Sequence, residues 1–308
     1  MANHIDSGDK KRRNVWRATA GVGFAAAAIA AVAVATTGSG THAPANREAA
    51  AKPVPATTGA ASGTTATETP LVQLVGYLST ASAPTGDATL LLRDQVYSNG
   101  LKVDVWDLHA DNGDYYFAKN KSGLLGQVSG HKNRGGEDEK GRKQVVAAAE
   151  FSAKGDLNAG RKKMFLAYTP AHPKVKPVLL APGVTPSLPA GAAKKLPKDV
   201  KEFAAINNTD NWVWNNSMDA LRVGAGSPTV RAGVLRLLGQ MPEIKVEPGT
   251  FKGHQVLTLT ADKPAVTTPE TLTVDAETGL PIKYASEGVT VNYTVTRVTL
   301  ADVAEGKF

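Results

Sequence analysis

The stretch Leu272-Thr-Val-Asp-Ala-Glu-Thr-Gly-Leu-Pro-Ile-Lys-Tyr284, followed closely by Val289-Thr-Val-Asn-Tyr-Thr-Val295, decides the fold class of this chain. Apolar residues stand at every second position on both sides of Asp275–Pro281, which is the period of a half-buried strand. The connection Asp275-Ala-Glu-Thr-Gly-Leu-Pro281 is rich in turn formers. Working outward, Leu257 alternates with Leu259 and Ile244 with Val246, and Glu247-Pro-Gly-Thr-Phe-Lys-Gly253 reads as the turn between them. Ile244 to Leu300 is therefore a β-meander. Far upstream, Leu90–Val96 and Leu101–Ala110 also read as strands. Asn112-Gly113, just before Tyr115-Tyr-Phe117, is a strong hairpin signal because both turn residues tolerate positive φ.

Between these two strand regions the period changes. Ser227 suits a helix N-cap and Pro228 the first helical position, and Val230, Val234, Leu237, Leu238 and Met241 share one face before a stop at Pro242. Leu71, Leu74, Val75 and Leu78 mark a short amphipathic helix, and Lys143–Ala153 and Leu157–Tyr168 favour helix. Residues 121–142, dominated by Gly, Lys, Asn, Asp and Glu, read as a loop. Prolines at 170, 173, 177, 182, 186, 189 and 197 exclude regular helix and central strand from an internal loop over 169–198. Strands early, helices in the middle and strands late, without βαβ alternation, predict an α+β domain over 71–308 with an antiparallel sheet and helices packed on one face. One sheet drawn from both halves is expected, since the first half alone would leave its edges bare.

The first seventy residues speak to location. Lys10, Lys11, Arg12, Arg13 and Arg17 precede an uncharged run from Ala18 to Ala35. As a helix that run is about 27 Å long, enough to cross a hydrocarbon core. The reading is a short basic cytoplasmic tail over 1–17, one transmembrane helix over 18–35 and an extracytoplasmic C-terminal domain, on the positive-inside rule. Small residues at Ala31, Ala33, Ala35 and Ala43 offer cleavage sites, so the alternative is a signal peptide h-region and a secreted protein. Residues 36–70, almost entirely Ala, Thr, Gly, Pro and Ser, read as a disordered linker.

Of the chain's net charge of +7, the tail supplies a large share, and no basic patch interleaved with aromatics follows it. Nucleic acid is excluded as a partner on that ground. With no Cys among 308 residues, disulfides, thiolate metal sites and cysteine nucleophiles are excluded.

Chemistry-bearing motifs are few. Asp107-Leu-His-Ala-Asp-Asn-Gly-Asp114 is the one dense cluster of ligand-like residues. Its Gly113 misses the calcium-loop register, and Ala118 stands where the end carboxylate belongs, so it reads as a solvated hairpin tip. The histidines at 4, 42, 109, 131, 172 and 254 lack zinc spacing. Ser129-Gly-His-Lys132 matches S-x-x-K but falls in the predicted loop, and neither a nucleophile elbow nor a phosphate-binding glycine loop is present. No enzyme, metal or cofactor is expected. Trp214, Met218 and Leu221 recur at helical core spacing, which sends Trp212 about 200° away, towards a rim or an apolar cleft. Trp212, Trp214 and Leu238 are therefore the residues of a possible ligand cleft. Asn207, Asn215 and Asn292 each open an N-x-S/T pattern.

The order of basic patch, single span, Ala/Thr linker and exported domain resembles uncharacterised actinobacterial membrane-anchored proteins. Gly113-Asp-Tyr-Tyr-Phe117, Leu196-Pro-Lys-Asp199 and Val274-Asp-Ala-Glu-Thr-Gly-Leu-Pro281 carry that likeness. The final meander is similar to the curved sheet of lipoprotein-carrier and sigma-regulator sensor domains, with helices laid across its concave face. The resemblance supplies no catalytic residues, and the 17 residues before the span are too few to fold a sigma-factor-binding domain. It implies a non-enzymatic sensor or interaction protein of the cell envelope, meeting an envelope protein or lipid. The alternative is a carrier that holds a lipid or other hydrophobic ligand between sheet and helices.

Overall fold

The computed structural model describes residues 69–134, 138–169, 173, 176–187 and 197–308, the side chains of 198–200 excepted. The expected tail, span and almost all of the linker lie outside the described residues. Thr69 and Pro70, placed in the linker by composition, instead open the first helix: Thr69 is its N-cap and Pro70 its first residue. Among the described residues no helix is long and apolar enough to cross a membrane.

Strands β1 (Ala88–Tyr97), β2 (Lys102–Ala110), β3 (Tyr115–Ala118), β4 (Ile244–Phe251), β5 (His254–Ala261), β6 (Glu270–Asp275), β7 (Pro281–Ser286) and β8 (Val289–Val298) build one antiparallel sheet in the order β3-β2-β1-β8-β7-β6-β5-β4. The two halves of the chain meet at β1 and β8, paired from Ala88 opposite Val298 to Tyr97 opposite Val289. The helices are α1 (Pro70–Leu78), α2 (Lys121–Ser129), α3 (Glu139–Lys154), α4 (Leu157–Leu166), α5 (Lys198–Ala204), α6 (Asn208–Gly224), α7 (Pro228–Leu238) and α8 (Leu300–Ala304). The domain is α+β, as the pattern of periods requires.

Strand alternation sends Leu257, Leu259, Leu272, Val274, Tyr284 and Val291 to one face, where they meet Leu78, Val145, Trp214, Leu221, Leu235 and Leu238 from the helices in the main core. The opposite face is also covered at the β3-β2-β1 end. There Ala88, Leu90, Leu108 and Tyr116 pack with Leu124 and Val128 of α2 and Val303 of α8. Helices thus lie on both faces at this end, which corrects the expectation of one. The loop expected over 121–142 is corrected too, since α2 and the start of α3 lie within it. Only Leu124 and Val128 of α2 are buried, too few to draw an amphipathic stripe. The Asn120 side chain caps this helix by accepting from the Gly123 N–H at 2.7 Å, and the second core holds it in place.

Helix α7 forms as its sequence dictates. The Ser227 hydroxyl accepts from Val230 N–H at 3.4 Å and Pro228 takes the first turn, but the helix closes on Gly239, ahead of Pro242. Its Gly233 is fixed by close approach: a Cβ there would lie 1.7 Å from the Ala149 carbonyl oxygen, so α3 and α7 touch backbone to backbone. Strand β4 runs through Pro248-Gly249, and the turn to β5 is only Lys252-Gly253, both at positive φ (51° and 85°). The longer connection read from composition is corrected, and Pro248 is tolerated because β4 is an edge strand.

Candidate functional site

At the β3-β2-β1-β8 end the face of the sheet that carries the main core becomes polar. Register places His109 opposite Thr89 and Tyr115, and Thr89 opposite Arg297; Asp107 lies opposite Leu91, and Arg93 opposite Tyr293. Arg93 Nε donates to Asp107 Oδ2 at 2.6 Å, and the Tyr115 hydroxyl donates to Asp107 Oδ1 at 2.6 Å. Burial on its own would raise the Asp107 carboxyl. The Arg93 charge, His109 and the two hydrogen bonds outweigh it and hold Asp107 below the usual carboxylate range. Behind this pair Arg222 is joined to Asp219 on α6.

His109 stacks on Tyr115 with ring centroids 4.7 Å apart and planes 16° apart, and the Arg142 guanidinium lies 4.9 Å from the Tyr115 ring centre. The imidazole is only 9% exposed, yet neither ring nitrogen makes a hydrogen bond among the described residues. Burial, then the charges of Arg142, Arg222 and Arg93, push it down to about 4 against the opposing pull of Asp107. A neutral imidazole with one donor and one acceptor to offer is the result.

That imidazole lines an open cleft of about 410 Å³. Thr89, His109 and Arg297 form the floor, α3 supplies Arg142, Val146, Ala147 and Glu150 as one wall, and the α6–α7 turn supplies the other. The turn presses in closely, for a Cβ on Gly226 would lie 2.3 Å from Thr89 Oγ1 and 2.6 Å from Arg297 Cδ. Arg297 is spent on structure: it holds Asp111 through two bonds of 2.9 and 2.7 Å and donates to Thr89 Oγ1 at 2.9 Å. On the rim Lys143 pairs with Glu139 at 2.6 Å. The Ser227 hydroxyl caps α7, so the hydroxyls of the cleft already have internal partners. Such an arrangement suits recognition of a polar group by hydrogen bonding, with an apolar patch at Val146, Val223 and Val230 beside it.

The residues singled out from sequence fall elsewhere. Trp214 is fully buried in the main core, its Nε1–H donating to Glu270 Oε2 at 2.7 Å, an oxygen that also accepts from the Tyr284 hydroxyl at 2.7 Å. Leu238 is fully buried in the same core, while Trp212 is 47% exposed on the outside of α6. None of the three lines the cleft, and the structure does not bring them together. The run Asp107–Asp114, read as a solvated hairpin tip, is corrected in its first half: Asp107 and His109 are buried, and the turn proper is Asp111–Asp114. The signal was present in the hairpin itself, since an Asn112-Gly113 turn sets His109 opposite Tyr115. Nothing local could have announced Arg142, Arg222 or Arg297. Asn207 is buried as the N-cap of α6, where it accepts from Thr209 and Asp210 N–H, and Ser129–Lys132 closes α2. Comparison of the chain with protein-family models, with curated proteins and with solved structures finds no match.

Proposed function

We propose that this chain is a membrane-anchored, extracytoplasmic sensor or interaction protein of the cell envelope, non-enzymatic, which receives a polar group of its partner in the cleft beside His109. The anchor and the curvature of the sheet rest on the sequence reading. The observation that carries the binding reading is the contrast between His109, whose ring nitrogens make no hydrogen bond among the described residues and which lines an open cleft, and the filled interior next to it. A lipid carrier needs an apolar cavity of several hundred Å³. Between sheet and helices, however, Trp214, Leu221, Leu235, Leu238, Leu257 and Leu259 are all at 0–1% exposure and in one cluster.

Thermal stability of the wild type, Leu238→Ala and Ala147→Trp, each measured with extracted lipid and with a lipid-free envelope fraction, tests this. Leu238→Ala should lose about 2–5 kcal/mol whether or not lipid is present. The lipid-free fraction should raise the melting temperature of the wild type but not of Ala147→Trp, whose indole occupies the cleft mouth. Stabilisation by lipid alone, with a small loss in Leu238→Ala, would replace this reading by the carrier.

A further inference from the structure

A second polar cluster lies away from the cleft, where the proline-rich segment crosses the start of α6. The Leu180 N–H donates to Thr209 Oγ1 at 2.8 Å, Asn207 Nδ2 to the Ala181 carbonyl at 2.8 Å, and the Gly183 N–H to Asp210 Oδ2 at 2.9 Å. Arg161 of α4 binds both partners at once: Nη1 donates to the Leu180 carbonyl at 2.7 Å, while Nε reaches Asp210 Oδ1 at 3.0 Å and Nη2 joins the same oxygen. Asp210 is fully buried. Glu243, in the link between α7 and β4, stands at the same place: a Cβ on Gly183, whose N–H binds Asp210, would lie 3.7 Å from Glu243 Oε2. Glu243 is only 8% exposed, and among the described residues neither of its carboxyl oxygens has a hydrogen-bond partner.

Among the described residues, two carboxyls and one guanidinium in a buried place leave one negative charge too many. Arg161 is committed to Asp210, and the segment Val178–Val184 brings no titratable side chain. Among the described residues, Asp210 from α6 and Arg161 from α4 are the charged groups that act on Glu243. The donor that can satisfy both carboxyls is a proton on one of them, shared with its neighbour. We propose that residues 178–184 form a proton-operated strap, docked on the N-terminus of α6 while Glu243 holds a proton shared with Asp210, and released when that proton leaves.

Ionisation acts directly on the anchors. The carboxylate it repels is the acceptor for Gly183 and the partner of Arg161, which in turn holds Leu180. Contact reinforces the link: Gly183 sits at φ +69°, and a Cβ on it would lie 2.6 Å from Cγ of Pro242, the residue before Glu243. Burial and then Asp210 push the Glu243 carboxyl up to about 7 from an ordinary 4.5, with Arg161 opposing. The docked state therefore binds the proton more tightly than the released one. Docking is favoured at acidic pH and weakens, up to about tenfold per pH unit, as pH rises towards neutrality. An extracytoplasmic domain would feel this directly, but the device does not depend on what the cleft binds.

Hydrogen exchange of the full chain in detergent micelles, followed by mass spectrometry from pH 5 to pH 8 and divided by intrinsic rates, reads the strap through the Leu180 and Gly183 amides. Protection there should fall several-fold per pH unit up to about neutrality and then level off, while the α7 amides stay constant and exclude global unfolding. Glu243→Gln, uncharged and still able to donate to Asp210, should keep the strap protected at every pH. Flat protection in the wild type, or the same decline in Glu243→Gln, overturns the proposal. Should Glu243→Gln lose the α7 protection as well, the wild-type series decides together with the carboxyl ¹³C shift of Glu243. Titration near neutrality supports the strap, and titration in the ordinary carboxylate range overturns it.

Discussion

The helix–sheet interface has two halves built on opposite principles. Over β5, β6 and β7 it is apolar and closed, with Leu257, Leu259, Leu272 and Val274 against Trp214, Leu235 and Leu238. Over β3, β2, β1 and β8 the same face of the same sheet carries Arg93, Asp107, His109, Tyr115 and Arg297. The closed half rests mainly on shape and hydrophobicity, apart from the Glu270 carboxyl held by Trp214 and Tyr284, and substitution of its aliphatic residues is a matter of cavities. The polar half must satisfy every charge by a specific partner, and at His109, whose ring nitrogens make no hydrogen bond among the described residues, the packing opens into the cleft. On the proposed reading, the first half supplies stability and the second recognition, with α3, α6 and α7 spanning both.

The sharpest way to break this comparison is to remove one charge from the polar half. Asp107→Ala leaves the Arg93 guanidinium buried without its carboxylate and should cost about 3–5 kcal/mol in urea denaturation. Replacing both partners by apolar residues, as in Arg93→Met with Asp107→Leu, should recover much of that loss, because no stranded charge remains. A loss below about 1 kcal/mol in Asp107→Ala would mean that water reaches the pair and that the two halves are not distinct.

A smaller effect, specific to the cleft, comes from pH. His109 has a folded value near 4 against an ordinary 6.5, so the unfolded chain binds more protons between those limits. Its contribution is complete above about 6.5 and is lost as pH falls to about 4, a difference of order 3 kcal/mol. Glu243 works the other way, since its raised value makes the fold gain stability as pH falls from about 7 towards 4.5. The two overlap in the wild type, so the informative quantity is the difference between wild type and His109→Phe at each pH. That difference should move in favour of the variant on acidification. A constant difference from pH 7 to pH 4 would place the imidazole in solvent.

The halves also differ in how far they could be read from sequence. Period-2 alternation in β5 to β8, and Ser227-Pro228 opening α7, are local patterns, and they carried the main core with them. The polar half is assembled from residues that alternate on strands but find partners at long range. Arg93 and Asp107 are 14 residues apart on neighbouring strands, and Arg297 and Asp111 are 186 apart. No window along the chain contains such pairs. Helix α2 escaped for a different reason: with just Leu124 and Val128 buried, its helicity comes from the Asn120 cap and from a second core that exists only once β1 and β2 have paired.

The smallest expected effect concerns two tryptophans that sequence reasoning assigned to a single cleft. Trp214 is fully buried and donates to Glu270, whereas Trp212, two residues earlier on α6, is 47% exposed. Two residues turn a helix by about 200°, so the indoles point to opposite sides. Trp212→Ala therefore removes a ring that is half in solvent already and should cost about 1 kcal/mol or less. A buried tryptophan truncated in the same way costs about 3–5 kcal/mol. Acrylamide quenching supplies an independent reading, because the fluorescence lost in Trp212→Ala should come mainly from the quenchable fraction. If the variant instead loses stability on the scale of a core tryptophan, the outer side of α6 is packed against something, and the boundary between the closed half and the solvent lies further out than Trp212.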